Sequence, residues 1–286
     1  MTVTDKATTG PLADVVFGVP YCSVSQYYEY FGDAPAPAAY GLSCVWQTFE
    51  VGRRLEASGL GPVRYLVDGR HVAAVTTTAD GMDVYDPYLL HLEPLRLRRA
   101  DAGANGTVTA VQEAVPFRTT AEGGAAPGRV RAVWTPKRNR LRLEYTRFSP
   151  RRGHHVVSRM FTFATDRVLG AVPPPAEVVR PLLLHPEQNN LSVRAIDGER
   201  GLHELVYPLS RLGRGPVHRQ DLLTRDNDGR WARHGRRDFD ASLDAIADTL
   251  AVSTRDLVDF VLGGVDIYRR IAPADLEIAS YSLEDE

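Results

Sequence analysis

Three residues of this chain have the types and local settings that nucleophilic catalysis by a thiol requires. Cys44 follows Ser43 at the start of a segment whose apolar residues have helical spacing. If Ser43 is the N-cap, the unpaired N–H groups and the positive end of the helix dipole favour a thiolate at Cys44. The backbone N–H of Cys44 then also provides one donor for a developing oxyanion.

A base and an orienting carboxylate follow in the next stretch. His71 opens one predicted strand, Asp86 closes the next, and the turn signal Asp80-Gly81 lies between them. Antiparallel pairing of these strands brings imidazole and carboxylate together, so that Asp86 can hold the general base His71 in one tautomer. Asp83 is the competing carboxylate, but its position turns it to the opposite face of an extended strand.

The elements that must position these residues are a helix and an antiparallel sheet. Apolar spacing predicts a helix over 43–58, ended by Gly59, and "VRYLV", "HVAAVTTT" and "MDVYD" have the composition of strands. From about 107 to 210, short apolar alternations predict a mostly antiparallel sheet. Residues 240–270 return to helical periodicity in two segments. The predicted fold class is α+β.

We expect three regions along the chain. Residues 1–105 form a thiol-enzyme core, 106–239 a mostly antiparallel β region, and 240–286 a C-terminal helical segment. Two proline-rich segments, 33–41 and 166–181, are predicted to be loops or connectors, because proline disfavours regular helix and central strand.

The stretch "GLSCVWQTFEVGRRLEASGLGPVRYLVDGRHVAAVTTTADGMDVYDPY" resembles the core of the transglutaminase-like thiol enzymes. In that family a Gly-x-x-Cys opens a helix, a His begins a later strand and an Asp-Pro ends the strand after it. The resemblance implies Cys44 as nucleophile, His71 as general base and acid, and Asp86 as orienting carboxylate. It also implies a papain/transglutaminase-like core, with the nucleophile helix packed on antiparallel sheet.

The distance in sequence from His71 to Asp86 is also similar to that in the arylamine N-acetyltransferases. The chain departs from the family where a single residue separates Gly69 from His71, because members usually have a longer insertion there. This departure bears on substrate selection more than on the triad.

Within that superfamily, the chain resembles actinobacterial thiol cyclases that release tetramic acids by Dieckmann condensation. The composition, rich in Arg, Ala, Gly and Pro, is typical of high-GC actinobacterial proteins. The resemblance implies a β-ketoacyl-aminoacyl thioester substrate, delivered by an acyl or peptidyl carrier protein in natural-product (antibiotic) biosynthesis. An amide synthase and a thiol hydrolase or peptidase are the alternatives. A non-catalytic binding module is disfavoured because all three triad residues are present.

Composition limits the other partners and cofactors. The chain has 34 basic and 36 acidic residues among 286, so no overall field draws it to nucleic acid or membrane. No stretch has the apolar length of a membrane span, and we expect a cytoplasmic protein. No nucleotide-binding motif is present. The adjacent His154 and His155 point to opposite faces of a strand and cannot easily bind one ion, so no metal site is predicted. No other cofactor is predicted.

Two further residues need separate interpretation. Cys22 lies in an aromatic-rich segment and is predicted to face the core. Its neighbours Tyr21, Ser23 and Gln26 can line the pocket or supply a second oxyanion donor. His91 falls beyond the predicted hairpin and is expected at the surface.

The C-terminal segment 242–262 has the rhythm of a helix-turn-helix. Its second helix carries Asp256 and Asp259, which have the wrong sign for a groove lined by phosphates, so a packing role is predicted. Clusters of basic residues usually form solvated faces, and if they converge they can receive an acidic carrier protein. They lie at 96–99, 147–155 and 230–237.

Overall fold

The computed structural model describes residues 10–212 and 216–281. The ends of the first and last predicted regions, 1–9 and 282–286, lie outside the described residues. The described helices are α1 (Pro11–Gly18), α2 (Ser25–Phe31), α3 (Cys44–Ala57), α4 (Ala176–Leu183), α5 (Arg237–Leu250) and α6 (Thr254–Ile271).

The described strands are β1 (Tyr21–Cys22), β2 (Val63–Asp68), β3 (His71–Thr78), β4 (Gly81–Tyr85), β5 (Leu95–Arg98), β6 (Val108–Thr119), β7 (Ala125–Thr135), β8 (Arg140–Ser149), β9 (His154–Ala164), β10 (Asn190–Ile196), β11 (Leu202–Pro208), β12 (Leu223–Arg225) and β13 (Trp231–Arg233). They form a first sheet in the order β2-β3-β4-β5, a second β6-β7-β8-β9, and a third β1-β10-β11-β12-β13. Neighbouring strands pair antiparallel throughout. The α+β prediction is confirmed.

The first sheet and α3 form the scaffold of the site. Gly52 on α3 lies against β2 so closely that a Cβ there would be 2.0 Å from the Tyr65 hydroxyl. Helices α1 and α3 and the first two sheets share one apolar core. Helices α2, α5 and α6 cover the third sheet and form a second core.

The second sheet is fastened to the first along β2. The Thr162 N–H donates to Asp68 Oδ2 at 2.8 Å, and the Leu169 N–H donates to the Tyr65 carbonyl at 2.9 Å. This attachment brings the side chains of β9 over the start of β3, where His71 lies.

Two expectations about the β-rich stretch need correction. Its strands do pair antiparallel, but β10 and β11 belong to the third sheet, where β10 pairs with β1 from the N-terminal part of the chain. The predicted connector 166–181 is wrong from 176 onward, because α4 begins there and contains Pro181. The three prolines 173–175 precede the helix, so only Pro181 removes a backbone donor from it.

Candidate active site

Cys44 is the first residue of α3, as the sequence predicted. Ser43 occupies the N-cap position with extended backbone angles, so the first N–H groups of α3 point past Cys44 without partners within the helix. The Ser43 side chain makes no capping hydrogen bond, and within the described residues its buried Oγ has no partner. Cys44 therefore lies at the positive end of the helix dipole, next to free backbone N–H groups that the Ser43 hydroxyl does not cap.

The start of α3 is tied to β1 by backbone hydrogen bonds. The Leu42 N–H donates to the Pro20 carbonyl at 2.9 Å, and the Cys22 N–H donates to the Leu42 carbonyl at 2.8 Å. Gly41 has φ of 87°, and a Cβ there would be 2.0 Å from the Pro20 oxygen. Only glycine fits this position without displacing the backbone that leads to Cys44.

Thr48 connects α3, which begins with Cys44, to β3, which begins with His71. Its hydroxyl lies 3.0 Å from the Cys44 carbonyl and 3.2 Å from the Val72 carbonyl. Val72 directly follows His71 on β3. The buried hydroxyl therefore fixes Cys44 and His71 relative to each other.

His71 and Asp86 are hydrogen-bonded, and both are buried. His71 Nε2 lies 2.7 Å from Asp86 Oδ2. The antiparallel register of β3 and β4, with Ala74 opposite Tyr85, carries Asp86 back to the start of β3. Because Asp86 takes Nε2, the nitrogen left for the Cys44 thiol is Nδ1.

The charges of the triad determine the protonation state of His71. Burial by itself would lower its pKa, but the Asp86 carboxylate, and then the hydrogen bond and charge of the Cys44 thiol, raise it to about 10. At neutral pH the imidazolium can therefore donate Nε2–H to Asp86 and Nδ1–H to Cys44.

Asp83, the competing carboxylate, lies elsewhere. It forms an ion pair with Arg98, with Arg98 Nη1 2.6 Å from Asp83 Oδ1. The alternation of side chains along β4 places it away from the imidazole, as expected.

The prediction that His91 lies at the surface is wrong. His91 is fully buried, and its Nε2 accepts a hydrogen bond from the Asp86 backbone N–H at 3.0 Å. Its Nδ1 donates to the Glu93 carbonyl at 2.7 Å. Burial lowers the pKa of His91, which agrees with a neutral ring that can accept at Nε2. Asp86 is thus held by a second histidine.

Aromatic side chains enclose the triad. Phe161 of β9 stacks on the His71 ring with centroids 3.7 Å apart, and Tyr88 lies 5.4 Å from the same ring. Tyr21 lies 5.2 Å from Tyr88. Burial, then Tyr88 and Cys44, raise the pKa of Tyr21 well above its ordinary value, so its hydroxyl keeps its proton near Cys44.

A cavity of about 390 Å³ opens next to this enclosure. Tyr21, Tyr88 and Phe161 form the wall that it shares with the triad. Tyr21 therefore lines the cavity, which is one of the two roles predicted for Tyr21, Ser23 and Gln26. Ser23 is instead engaged with Ser192 of β10, through bonds of its hydroxyl to the backbone there.

Other candidates from the sequence have structural roles. Cys22 is fully buried, and burial raises its pKa to about 11, as expected for a core thiol. His154 Nδ1 lies 2.9 Å from the Arg152 carbonyl and His155 Nε2 lies 2.9 Å from the Pro127 carbonyl. Within residues 10–212 and 216–281, no three His, Cys, Asp or Glu side chains group in a way that could hold a metal ion.

The C-terminal helix pair packs into the second core. Ser253 caps α6 by accepting from the Asp256 N–H at 3.0 Å, and the apolar face of α6 is buried. The Tyr28 hydroxyl donates to the Phe260 carbonyl at 2.8 Å. The packing role predicted for this segment is confirmed.

Comparison with protein-family models, with curated proteins and with solved structures finds no match to this chain. No helix in the described part of the chain has the length and apolar character that crossing a bilayer requires. Because these comparisons find no match, the proposal about function rests on the geometry of the site.

Sequence reasoning missed His91, Tyr88 and Phe161 as parts of the site. Tyr88 follows Asp86-Pro87 in the sequence, and a 3-10 helix over Pro87–Leu89 turns it back towards His71. Because Tyr88 is only two residues from Asp86, its position in the sequence could have indicated a place near the site. Phe161 lies far along the chain, and no local pattern links it to His71.

Proposed function

We propose that this chain is a cysteine-dependent acyltransferase that forms a thioester on Cys44. The observation that carries the proposal is the buried 2.7 Å bond between His71 Nε2 and Asp86, which leaves Nδ1 to the thiol at the start of α3. We propose further that the core is of the papain/transglutaminase-like kind, and the packing of α3 on the antiparallel sheet that carries His71 and Asp86 supports this.

Acylation uses groups that are already in place. The Cys44 thiolate attacks the carbonyl carbon of a thioester substrate, and the Cys44 N–H stabilises the oxyanion. The intermediate collapses as the carbon–sulfur bond to the leaving group breaks, and the His71 imidazolium gives its Nδ1 proton to the departing thiolate. The products are acyl-Cys44, a free thiol and neutral His71.

Release is by Dieckmann cyclisation of a β-ketoacyl-aminoacyl group. Neutral His71 removes a proton from the active-methylene carbon, and the carbanion attacks the carbonyl carbon of acyl-Cys44. The thioester bond breaks, a tetramic acid ring leaves, and the Cys44 thiolate and His71 imidazolium are restored. The rings of Tyr21, Tyr88 and Phe161 around His71 support this choice, because an apolar enclosure disfavours attack by water on the acyl group.

We propose that the substrate arrives on an acyl or peptidyl carrier protein. Amide formation and hydrolysis use the same acyl-Cys44 and differ only in the acceptor, an amine or water instead of a carbon of the substrate.

The test uses an N-acetylcysteamine β-ketoacyl-aminoacyl thioester and identifies the products by mass. Cyclisation gives the ring with loss of thiol and no incorporation of oxygen from labelled water. The free acid as sole product would make the protein a hydrolase, and a product seen only with added amine would make it an amide synthase.

Matched variants test the triad within the same assay. Cys44→Ala should abolish turnover, and Asp86→Asn should reduce it by about 10⁴-fold by favouring the wrong tautomer of His71. Cys22→Ala and Asp83→Asn are the controls, since neither side chain touches the triad, and both should retain turnover. Equal losses from Asp83→Asn and Asp86→Asn would remove the proposed role of Asp86.

A further inference from the structure

Tyr88 lies between the triad and the cavity. Its ring centroid is 5.4 Å from that of His71, and the residue also lines the cavity. The 3-10 helix over Pro87–Leu89, which directly follows Asp86, sets this position. A substrate that reaches His71 from the cavity therefore passes Tyr88.

The Tyr88 hydroxyl accepts one hydrogen bond and keeps its own proton free. Arg159 of β9 donates from Nε to Tyr88 Oη at 3.3 Å. Within the described residues, no side chain or carbonyl accepts a hydrogen bond from this hydroxyl. A phenol is both acceptor and donor, so its O–H remains available to a ligand in the cavity.

Two guanidinium groups make the Tyr88 phenol more acidic. Besides Arg159 on the hydroxyl, Arg194 of β10 lies 5.0 Å from the centroid of the ring. Burial by itself would raise the pKa of Tyr88, but Arg159 and then Arg194 lower it below its ordinary value of 10.0, against a smaller opposing effect of Cys44. A more acidic phenol is a stronger hydrogen-bond donor to an oxygen that gains negative charge.

Tyr21 shows that this acidity depends on Arg159. Arg194 lies over the Tyr21 ring as well, at 4.7 Å, yet burial, then Tyr88 and Cys44, raise the pKa of Tyr21. The chain has 12 tyrosines, all within the described ranges, and Tyr88 is the one whose pKa is lowered. The hydrogen bond from Arg159 distinguishes it from Tyr21.

We infer that Tyr88 is a further catalytic residue, which donates its O–H to the ketone oxygen of the β-ketoacyl group while the active-methylene carbon loses its proton. The inference rests on the proposed function, since it takes the acyl group on Cys44 to carry that ketone. Arg159 is a positioning residue in this step, because it acts on the ketone oxygen through Tyr88.

The step balances without a further reactant. The proton of the active-methylene carbon goes to Nδ1 of His71, and the electron pair of the C–H bond moves into an enolate whose oxygen Tyr88 stabilises. The enolate carbon then attacks acyl-Cys44 and the ketone forms again. Tyr88 keeps its proton throughout.

The first test separates formation of acyl-Cys44 from release of the ring. Rapid mixing with the N-acetylcysteamine β-ketoacyl-aminoacyl thioester follows the thiol that leaves on acylation and the ring that forms afterwards. In Tyr88→Phe the burst of thiol should stay within about threefold of wild type, whereas ring formation should slow by about 10²–10³-fold, the loss expected for one oxyanion donor. Acyl-Cys44 should then accumulate and be seen by mass.

Tyr207→Phe is the matched control, since its hydroxyl lies 3.4 Å from Asp221 and its ring packs in the second core. It should leave both phases at the wild-type rate. Ring formation at the wild-type rate in Tyr88→Phe, or a burst that slows as much as ring formation, would overturn the inference.

A spectroscopic test shows whether Arg159 makes Tyr88 acidic. The ultraviolet absorbance of phenolate, taken as the difference between wild type and Tyr88→Phe, follows the ionisation of this one residue. The difference should be absent at neutral pH and should appear with a midpoint below 10.0. Arg159→Gln should move the midpoint to higher pH and slow ring formation without slowing the burst. An unshifted midpoint, or a phenolate already present at neutral pH, would contradict the donor role.

The two proposals can fail separately. Calorimetry on the Cys44→Ala protein uses 3-acetyl tetramic acid, whose anion carries the charge of an enolate, and 2-pyrrolidinone, which lacks the 1,3-dicarbonyl group. The tetramate should bind at least about tenfold more tightly, and Tyr88→Phe should weaken its binding by about tenfold. That result without thioester turnover would keep Tyr88 as the donor and remove the acyltransferase. Turnover with ring formation unaffected by Tyr88→Phe would do the reverse.

Discussion

The Asp86 backbone N–H donates a 3.0 Å hydrogen bond to Nε2 of His91, while the carboxylate of Asp86 binds His71. One aspartate is therefore fixed by two buried histidines in opposite protonation states. His91 must stay neutral to accept at Nε2, whereas His71 is charged at neutral pH. In the proposed reaction His91 is a positioning residue, because it reaches His71 only through Asp86.

This pairing predicts a loss of stability in mild acid. Burial lowers the pKa of His91 below its ordinary value of 6.5. In mild acid the imidazole of His91 therefore binds a proton in the unfolded chain but not in the native state. The free energy of unfolding should therefore fall as the pH drops below 6.5. Urea unfolding across this range should show the slope in the wild type and a shallower one in His91→Gln.

At neutral pH, His91→Gln should lower the free energy of unfolding by about 1–3 kcal/mol, the range for disturbing a buried hydrogen bond. The variant should also lower the turnover number more than it raises KM, since Asp86 loses its position. An unchanged pH slope in the variant would contradict the role of His91.

The contribution of His71 to the free energy of unfolding has the opposite pH dependence. Its pKa is raised to about 10, so the native state keeps a proton that the unfolded chain loses above its ordinary value of 6.5. The stability that the charge of His71 supplies is complete below pH 6.5 and is lost as the pH rises through about 10. The difference in unfolding free energy between wild type and His71→Gln should shrink over that interval. A constant difference would show that His71 is not charged in the native protein.

Gly41 and Gly59 form a matched pair at the two ends of α3. Both have positive φ, but a Cβ at Gly41 meets the Pro20 carbonyl at 2.0 Å, while a Cβ at Gly59 meets nothing within 4 Å. Gly59→Ala should lower the free energy of unfolding by about 1–2 kcal/mol, because alanine is strained in a left-handed backbone conformation. Gly41→Ala should lower it by more. Only Gly41→Ala should also slow alkylation of Cys44, because it moves the start of the helix. Equal effects on stability and alkylation would show that Gly41 does not position the nucleophile.

The local features of the site could be predicted from the sequence because they depend on short-range rules. Helical spacing after Ser43 and the Asp80-Gly81 turn between two strands were enough to place Cys44, His71 and Asp86 on their elements, with Asp86 rather than Asp83 beside the base. These features lie within one helix and one hairpin.

The remainder depends on contacts between distant segments. Phe161 reaches His71 only because β9 lies beside β2, and Arg194 reaches Tyr21 because β10 pairs with β1. His91 looked like a loop residue, since nothing in its neighbourhood shows that the chain folds back onto Asp86. The cavity next to the aromatic side chains is lined by five arginines, which likewise come from five different strands or loops and form no linear pattern.

The central proposal is that Cys44 is a nucleophile activated by His71 and Asp86, and alkylation by iodoacetamide at neutral pH tests it most directly. Peptide mass mapping over time separates Cys44 from Cys22, which is fully buried and has a pKa raised to about 11. Cys44 should be modified first, and its rate should fall in His71→Gln while Cys22 stays unmodified in the folded protein. Modification of Cys22 as fast as Cys44, or an unchanged Cys44 rate in His71→Gln, would contradict the account.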